Sequence, residues 1–213
     1  MNLELVEGFV IPGKQRAALE REDRFHALLA TQPGVLAAAL FRSWGYPGRY
    51  ARAVFWESID ALYTVRGSAE LEAFFEANPV SAVVNVTRPP EGYELVLEVG
   101  EALRALAPGM HTVTVEWTLE RWAEVAEAFE QSRRELFELR QKHMPGFVRN
   151  SLYRFLGAPN RYLIAITTQS RLGGQDQEAT ELQAFVAAHP ASAYTSTPLG
   201  YNTYEVVKVS RPA

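Results

Sequence analysis

The sequence contains no cysteine. That absence removes disulfides, thiolate nucleophiles and cysteine metal ligands, although it does not by itself fix a compartment. Histidine is scarce, with 4 in 213 residues, and none stands at a metal-ligand spacing from another histidine or a carboxylate. No metal site is therefore expected. No apolar run approaches the span of a bilayer, so no membrane partner is expected. Basic residues form no stripe and the net charge is -4, which argues against a nucleic-acid partner. The opening stretch MNLELVEGFVIPGK is acidic where a signal peptide would be basic, so a cytoplasmic location is the expectation. There is no phosphate-binding glycine loop, nucleophile elbow or HExxH motif, which sets aside nucleotide-binding, serine-hydrolase and zinc-protease chemistry.

What the chain does have is a repeat. Pro33 to Ser58 aligns without a gap to Pro145 to Ser170, and 10 of the 26 positions are identical. The shared residues include the Pro-Gly pairs Pro33-Gly34 and Pro145-Gly146, Arg42/Arg154, Gly45/Gly157, Pro47/Pro159, Arg49/Arg161 and Tyr50/Tyr162. ELEAFFEANP (Glu70 to Pro79) then aligns with ELQAFVAAHP (Glu181 to Pro190), and Tyr93-Glu94-Leu95-Val96 with Tyr204-Glu205-Val206-Val207. Three blocks in order at one spacing mark a duplication with a period of roughly 111 residues.

Each copy reads as β-α-β-β-α-β. Leu3 to Ile11 and Thr112 to Thr118 are rich in β-branched and apolar residues, as strands are. In the helix that follows in copy two, Trp122, Val125, Phe129, Ser132, Leu136, Leu139 and His143 recur at steps of three and four and form one face. Ala18, Phe25 and Leu28 do the same, more weakly, in copy one, where Pro12 suits the helix's first turn. Two strands follow, joined by Gly45 to Gly48 or Gly157 to Asn160. Ser58 and Ser68 suit N-caps of the next helical segment, which buries Leu71, Phe74 and Phe75, or Leu182, Phe185 and Val186. Final strands run from Tyr93 to Val99 and from Tyr204 to Val209.

Such a unit makes a four-stranded antiparallel sheet with both helices on one face. The other face is expected to be apolar, since Val35, Ala37, Ala39 and Phe41 alternate with Leu36, Ala38 and Leu40. Packing two bare faces together removes that exposure, and fusion supplies the partner at high effective concentration. The expected fold is α+β: two ferredoxin-like β-α-β-β-α-β repeats, residues 1–100 and 111–213, joined by a linker at 101–110 and packed as a pseudo-dimeric α/β barrel. A monomeric pseudo-dimer satisfies this need, and a homodimer of pseudo-dimers remains open through exposed sheet edges.

Pro-Gly opening strand two, Arg-Tyr opening strand three and Trp56-Glu57-Ser58 closing it resemble the antibiotic-biosynthesis monooxygenase family, which has the dimeric α/β-barrel fold. The resemblance covers nearly all of both copies, as a fused pair. It implies either oxygenation of aromatic or quinol-type molecules without metal or cofactor, or haem binding and degradation. Other members have no known reaction, and fold does not decide among these. Copy two departs from the pattern: Thr168 and Gln169 replace Trp56 and Glu57, and Gly173-Gly174 would break the short helix copy one can form. One working pocket, or two unequal ones, is therefore expected.

His26, His143 and Glu7 are the candidate general bases. Trp44, Trp56, Tyr50 and Arg42 are the candidate substrate-binding residues: rings to stack on a flat molecule and a guanidinium to clamp an anion. For the rings, core filling is the favoured reading. Arg42, Arg49, Arg154 and Arg161 recur in both copies, which suits a structural role such as pairing with Glu57. The stretch FVAAH, ending at His189, resembles the helix end that carries the iron ligand in haem-degrading members, although Ala179 stands where that pattern has Trp and the first strand of copy two has no Asn. Asn78 stands at the equivalent place in copy one, and both residue types are ordinary at a helix end. The leading expectation is a cofactor-free monooxygenase of a small aromatic or quinol-like molecule. The alternatives are a non-catalytic small-molecule binding or stress-related module, and a haem-binding or haem-degrading protein that uses His189.

Overall fold

The computed structural model describes residues 1–171, 180–196 and 200–212. Its elements are β1 (Asn2–Val10), α1 (Gln15–Leu29), β2 (Val35–Ser43), β3 (Arg49–Trp56), α2 (Ile59–Arg66), α3 (Ala69–Ala77), β4 (Val84–Gly100), β5 (His111–Thr118), α4 (Trp122–His143), β6 (Phe147–Phe155), β7 (Arg161–Thr168), α5 (Thr180–Ala188) and β8 (Gly200–Ser210). The duplicated β-α-β-β-α-β order is present. Within the units the antiparallel strand orders include β4-β1-β3-β2 and β5-β7-β6. Among the described residues, no helix is long and apolar enough to cross a membrane.

The chain divides into two compact units, Met1–Glu94 with Glu205–Ala213, and Leu95–Tyr204. The division falls inside β4 and β8. The first part of β4 pairs with β1, whereas just beyond its end Glu101 donates its backbone N–H to Val148 of the second unit.

In the first unit, β1 lies antiparallel between β3 and β4, and β3 pairs on its other side with β2. The Pro-Gly pair shared by the repeats has a backbone reason. Gly34 and Gly146 take φ of 74° and 66°, a region closed to most side chains. At Gly34 a Cβ would also lie 2.5 Å from the Cβ of Ala61. α1 begins at Gln15 with Lys14 as its cap, so Pro12 sits in the preceding turn rather than in the helix's first turn. The second helical segment is two helices. Ser58 Oγ accepts from Ala61 N at 3.1 Å to cap α2, and Ser68 Oγ accepts from Leu71 N at 3.3 Å to cap α3. Gly173-Gly174, in the matching part of copy two, lie outside the described residues.

β4 is longer than its sequence suggests because it passes through Pro89 and Pro90. Leu5 pairs with Glu91 and Glu7 with Arg88, so both prolines stand opposite one residue of β1, in a bulge where no ladder donor is required.

One face of each sheet is covered by helices. In the first unit Phe25 and Leu29 of α1, Leu62 and Val65 of α2 and Leu71 of α3 pack on Val35, Ala38, Val54 and Trp56. In the second, Phe129, Leu136 and Phe137 of α4 and Leu182 of α5 pack on Val115, Trp117, Leu152, Ile164 and Ile166. The opposite faces differ. Leu3, Leu5, Ala37, Ala39, Ala51, Ala53 and Phe55 make it apolar in the first unit, as expected. Val35 is turned from this set by a bulge between Val35 and Ala37. In the second unit that face is mixed: buried Thr112, Thr114, Arg149, Ser151 and Thr167 share it with buried Tyr153 and Leu163. The bare face is thus more polar in the second repeat than in the first, where Glu7 is the buried charge on it. The charge of Arg149 is met by Glu98, and its Nε and Nη2 also donate to Ser151 Oγ.

Candidate functional site

The residues singled out from the sequence do not converge. His26 lies in α1, wholly buried, with Nδ1 2.5 Å from Ser210 Oγ. Burial is the main cause that pushes its pKa down to about 4, so it stays neutral. Glu7, in β1, is buried and its carboxylate oxygens receive Arg49 and Arg88. His143 ends α4, with Nε2 2.7 Å from Glu181 Oε2, which also accepts from Lys142. Trp56 is 1% exposed and belongs to the first unit's core. Trp44 is 46% exposed, just beyond β2. Arg42 reaches outward to Glu205 Oε2 at 2.5 Å. Tyr50 accepts from Gln15 Nε2 at 3.0 Å and borders a cavity of about 50 Å³, too small for an organic substrate. Of the other recurring arginines, Arg154 reaches Glu130 and Arg161 stacks on Phe155.

The first unit's space between helices and sheet is filled by its own charges. Arg21 of α1 is 3% exposed and lies over Phe74, Phe75 and Phe25 at 5.5–6.0 Å. Its Nη1 donates to Glu22 Oε1 at 2.8 Å and its Nε to the carbonyl of Asn78 at 2.9 Å. Arg52, on β3, approaches the same carboxylate at 3.2 Å and covers Phe25 at 4.3 Å.

The second unit has a cavity in the corresponding place, about 310 Å³, at the lower end of small-ligand pockets. Trp117, Val115, Ile164, Ile166 and Leu136 give it apolar walls, and Arg133 and His189 bring polar atoms to it. The repeat explains the room. Register places Ile164 where copy one has Arg52, and a shift of 112 places Arg134 where it has Glu22. The ion cluster that packs the first unit is therefore absent from the second.

His189 follows α5. Its Nδ1 is 3.1 Å from the carbonyl of Phe185, and its ring stacks on Phe185 with centroids 4.2 Å apart. A carbonyl only accepts, so Nδ1 carries a proton, and in the neutral ring the lone pair is on Nε2. No partner meets Nε2 among the described residues. Asn78 makes the same bond in copy one, donating from Nδ2 to the Phe74 carbonyl at 2.9 Å. The two residues share the helix-end role, and only the histidine adds a basic nitrogen. Ala179, the other position compared with haem-degrading proteins, lies outside the described residues.

Arg133 is not among the residues singled out from the sequence. The available signal was a charge inside an apolar stripe: Phe129, Arg133, Leu136 and Phe137 are all buried on one face of α4.

With that geometry in view, residues 4–77 match the model of the antibiotic biosynthesis monooxygenase family. That match spans about a third of the chain. Solved structures of similar length superpose on nearly all of the chain. A provisionally named monooxygenase from Fusobacterium nucleatum subsp. nucleatum matches with a TM-score of 0.77 at 8% identity, covering 99% of this chain and 94% of its own. Another from Lactobacillus acidophilus NCFM gives 0.70 at 9% identity, covering 99% and 96%. An anthrone oxidase-like protein gives 0.63 at 17% identity, covering 98% and 92%. At such identities the likeness is one of fold. No curated protein matches the sequence.

Proposed function

We propose that the chain is a cofactor-free monooxygenase of a small aromatic or quinol-like molecule, and that the second unit carries the working pocket. The observation that supports this most is the cavity of about 310 Å³ with apolar walls and the unpartnered Nε2 of His189 on its lining. The candidate bases His26, Glu7 and His143 are each engaged elsewhere, which leaves His189 as the base of the proposal.

In this mechanism a flat substrate lies against Trp117, Ile164 and Ile166. His189 Nε2 takes a proton from an acidic C–H beside the aromatic ring, and the Phe185 carbonyl holds the imidazolium that results. The apolar walls exclude water, so the anion keeps its electron density. It reduces dioxygen directly, one C–O bond forms, and the peroxide takes the proton back from His189. Loss of water with the second C–H proton leaves a carbonyl. A CH2 group and one O2 thus become C=O and H2O, and no outside electrons are needed.

Anthrone is a suitable probe, because it has such a CH2 group and absorbs differently from anthraquinone. The expected result is protein-dependent oxygen uptake with one labelled oxygen atom per product, reduced at least ~100-fold in His189→Ala. Uptake no faster than the spontaneous reaction with anthrone and its hydroxylated analogues would refute the reading. The alternative, a non-catalytic binding module, expects a pocket without a titratable group of perturbed pKa and no oxygen uptake.

Haem is a second reading, favoured by the same His189 bond. An Nδ1–H held by a backbone carbonyl with Nε2 bare is the state an axial ligand needs. His189 would hold the iron and Arg133 is suited to a propionate; bound haem would supply redox chemistry at its iron. A haemin titration distinguishes the readings. A saturable Soret shift lost in His189→Ala supports haem, and no shift removes it.

A further inference from the structure

Arg133 is 5% exposed, yet it has no carboxylate among the described residues. Its Nε and Nη2 are used by one neutral acceptor, Ser132 Oγ, at 3.3 and 3.2 Å. No partner meets Nη1 among the described residues. The guanidinium lies over Trp117 and Phe129 at 5.2 Å each and Tyr194 at 5.9 Å, on the wall of the second unit's cavity. A buried cation is costly unless an anion meets it. Rings offset part of that cost through their negative faces, but they do not supply a charge.

The duplication contains its own control. Arg21 is the same residue 112 positions earlier, on the equivalent helix, over three rings of its own. There the charge is met inside the protein, by Glu22 at 2.8 Å, with Arg52 on the same carboxylate. In copy two the acid has become Arg134 and the second arginine has become Ile164. The guanidinium and its rings are kept, the carboxylate is gone, and a cavity stands beside the charge.

We propose that Arg133 anchors the ligand of this cavity, and that the ligand is a small aromatic anion, a carboxylate or a ring oxyanion, whose charge does in the second unit what Glu22 does in the first. The inference rests on the reading that this cavity is the binding site, and it fixes the charge of the molecule bound there. Trp117 supplies the face for the ring and Arg133 Nη1 the donor for the anion. Arginine suits the task because its protonation is secure and its planar fork matches a carboxylate. The site favours an anion over its neutral isostere, because only the anion relieves a buried charge that already exists.

The test is calorimetric titration of 2-naphthoate and of its uncharged partner 2-naphthamide into the full chain. Wild type is expected to bind naphthoate at least ~10-fold more tightly than naphthamide. In Arg133→Met, which keeps the volume of the stem, that preference should vanish while naphthamide affinity changes less than ~3-fold. Arg133→Lys, which keeps the charge, should retain part of it. Thermal unfolding of each variant establishes that it is folded. Equal affinity of wild type for both probes, no binding of either, or naphthoate binding indifferent to Arg133→Met would each overturn the proposal. The oxygenase reading fails separately: a charge preference that depends on Arg133, with no oxygen uptake on any substrate, leaves this anion site standing and removes the reaction.

Discussion

Arg21 and Arg133 occupy the same position of the repeat, and only Arg21 meets a carboxylate, Glu22 Oε1 at 2.8 Å. Burial is the leading cause that lowers the pKa of both guanidiniums, and Glu22 opposes it at Arg21. One sequence position thus serves as packing in one unit and as an unspent charge in the other.

Stability should report that difference. Arg133→Met removes a buried cation that has no counter-charge, so the protein is expected to gain about 1–3 kcal/mol, or roughly 2–10 °C in Tm. Arg21→Met removes a partner from the buried Glu22 and a donor from the Asn78 carbonyl, and is expected to lose stability. Thermal denaturation of both variants checks this. Equal losses would mean that the rings alone satisfy Arg133.

The pH dependence of folding should follow His26. Its pKa falls from 6.5 to about 4 in the folded state, chiefly through burial, with Lys208 and Arg52 lowering it and Glu22 and Asp23 raising it. The unfolded chain therefore binds the proton more readily, and acid favours unfolding. The contribution is fully present above pH 6.5 and is lost as the pH falls toward 4, amounting to roughly 3 kcal/mol. Denaturant melts at pH 7 and pH 4.5 should show the wild type losing more stability than His26→Leu. Parallel losses in the two proteins would remove His26 as the cause.

Local capping gives a smaller effect. Ser58 Oγ accepts from Ala61 N at 3.1 Å, so Ser58→Ala is expected to cost about 1 kcal/mol in a chemical melt. Ser58→Asp should retain most of it, because aspartate caps equally well.

Much of this molecule is legible in its sequence. The Pro-Gly pairs announce the repeat because Gly34 and Gly146 need a positive φ that few other residues tolerate. The strands and helices follow from periodicity, and Ser58 and Ser68 from capping chemistry. The site is harder for a physical reason. Arg133 stands in an apolar stripe, where a charge looks like an interruption, and its meaning depends on Glu22 and Arg52 being replaced by Arg134 and Ile164. Those exchanges lie on different elements, and only the fold brings them to one place. The more polar bare face of the second sheet was hidden for a related reason, since it was inferred from copy one, where Ala37 and Ala39 stand opposite Ala53 and Phe55 on β3.

The sharpest separation of structure from function is available at His189. Asn78 closes α3 by donating to the Phe74 carbonyl, as His189 closes α5 by donating to that of Phe185. His189→Asn therefore copies the solution already used in the first unit. The helix-end bond should survive, and Tm should stay within about 1–2 °C of wild type, as expected for a change of less than about 0.5 kcal/mol. The substitution nevertheless removes the only basic nitrogen offered there, since an amide cannot take a proton at neutral pH. Anthrone oxidation is expected to fall by about 100-fold or more, and raising the pH, which ionises the substrate without help, should recover part of the rate. A variant that keeps its full rate would show that His189 is only a cap. One that melts well below wild type would show that the histidine ring, stacked on Phe185, holds the helix end in a way the amide does not.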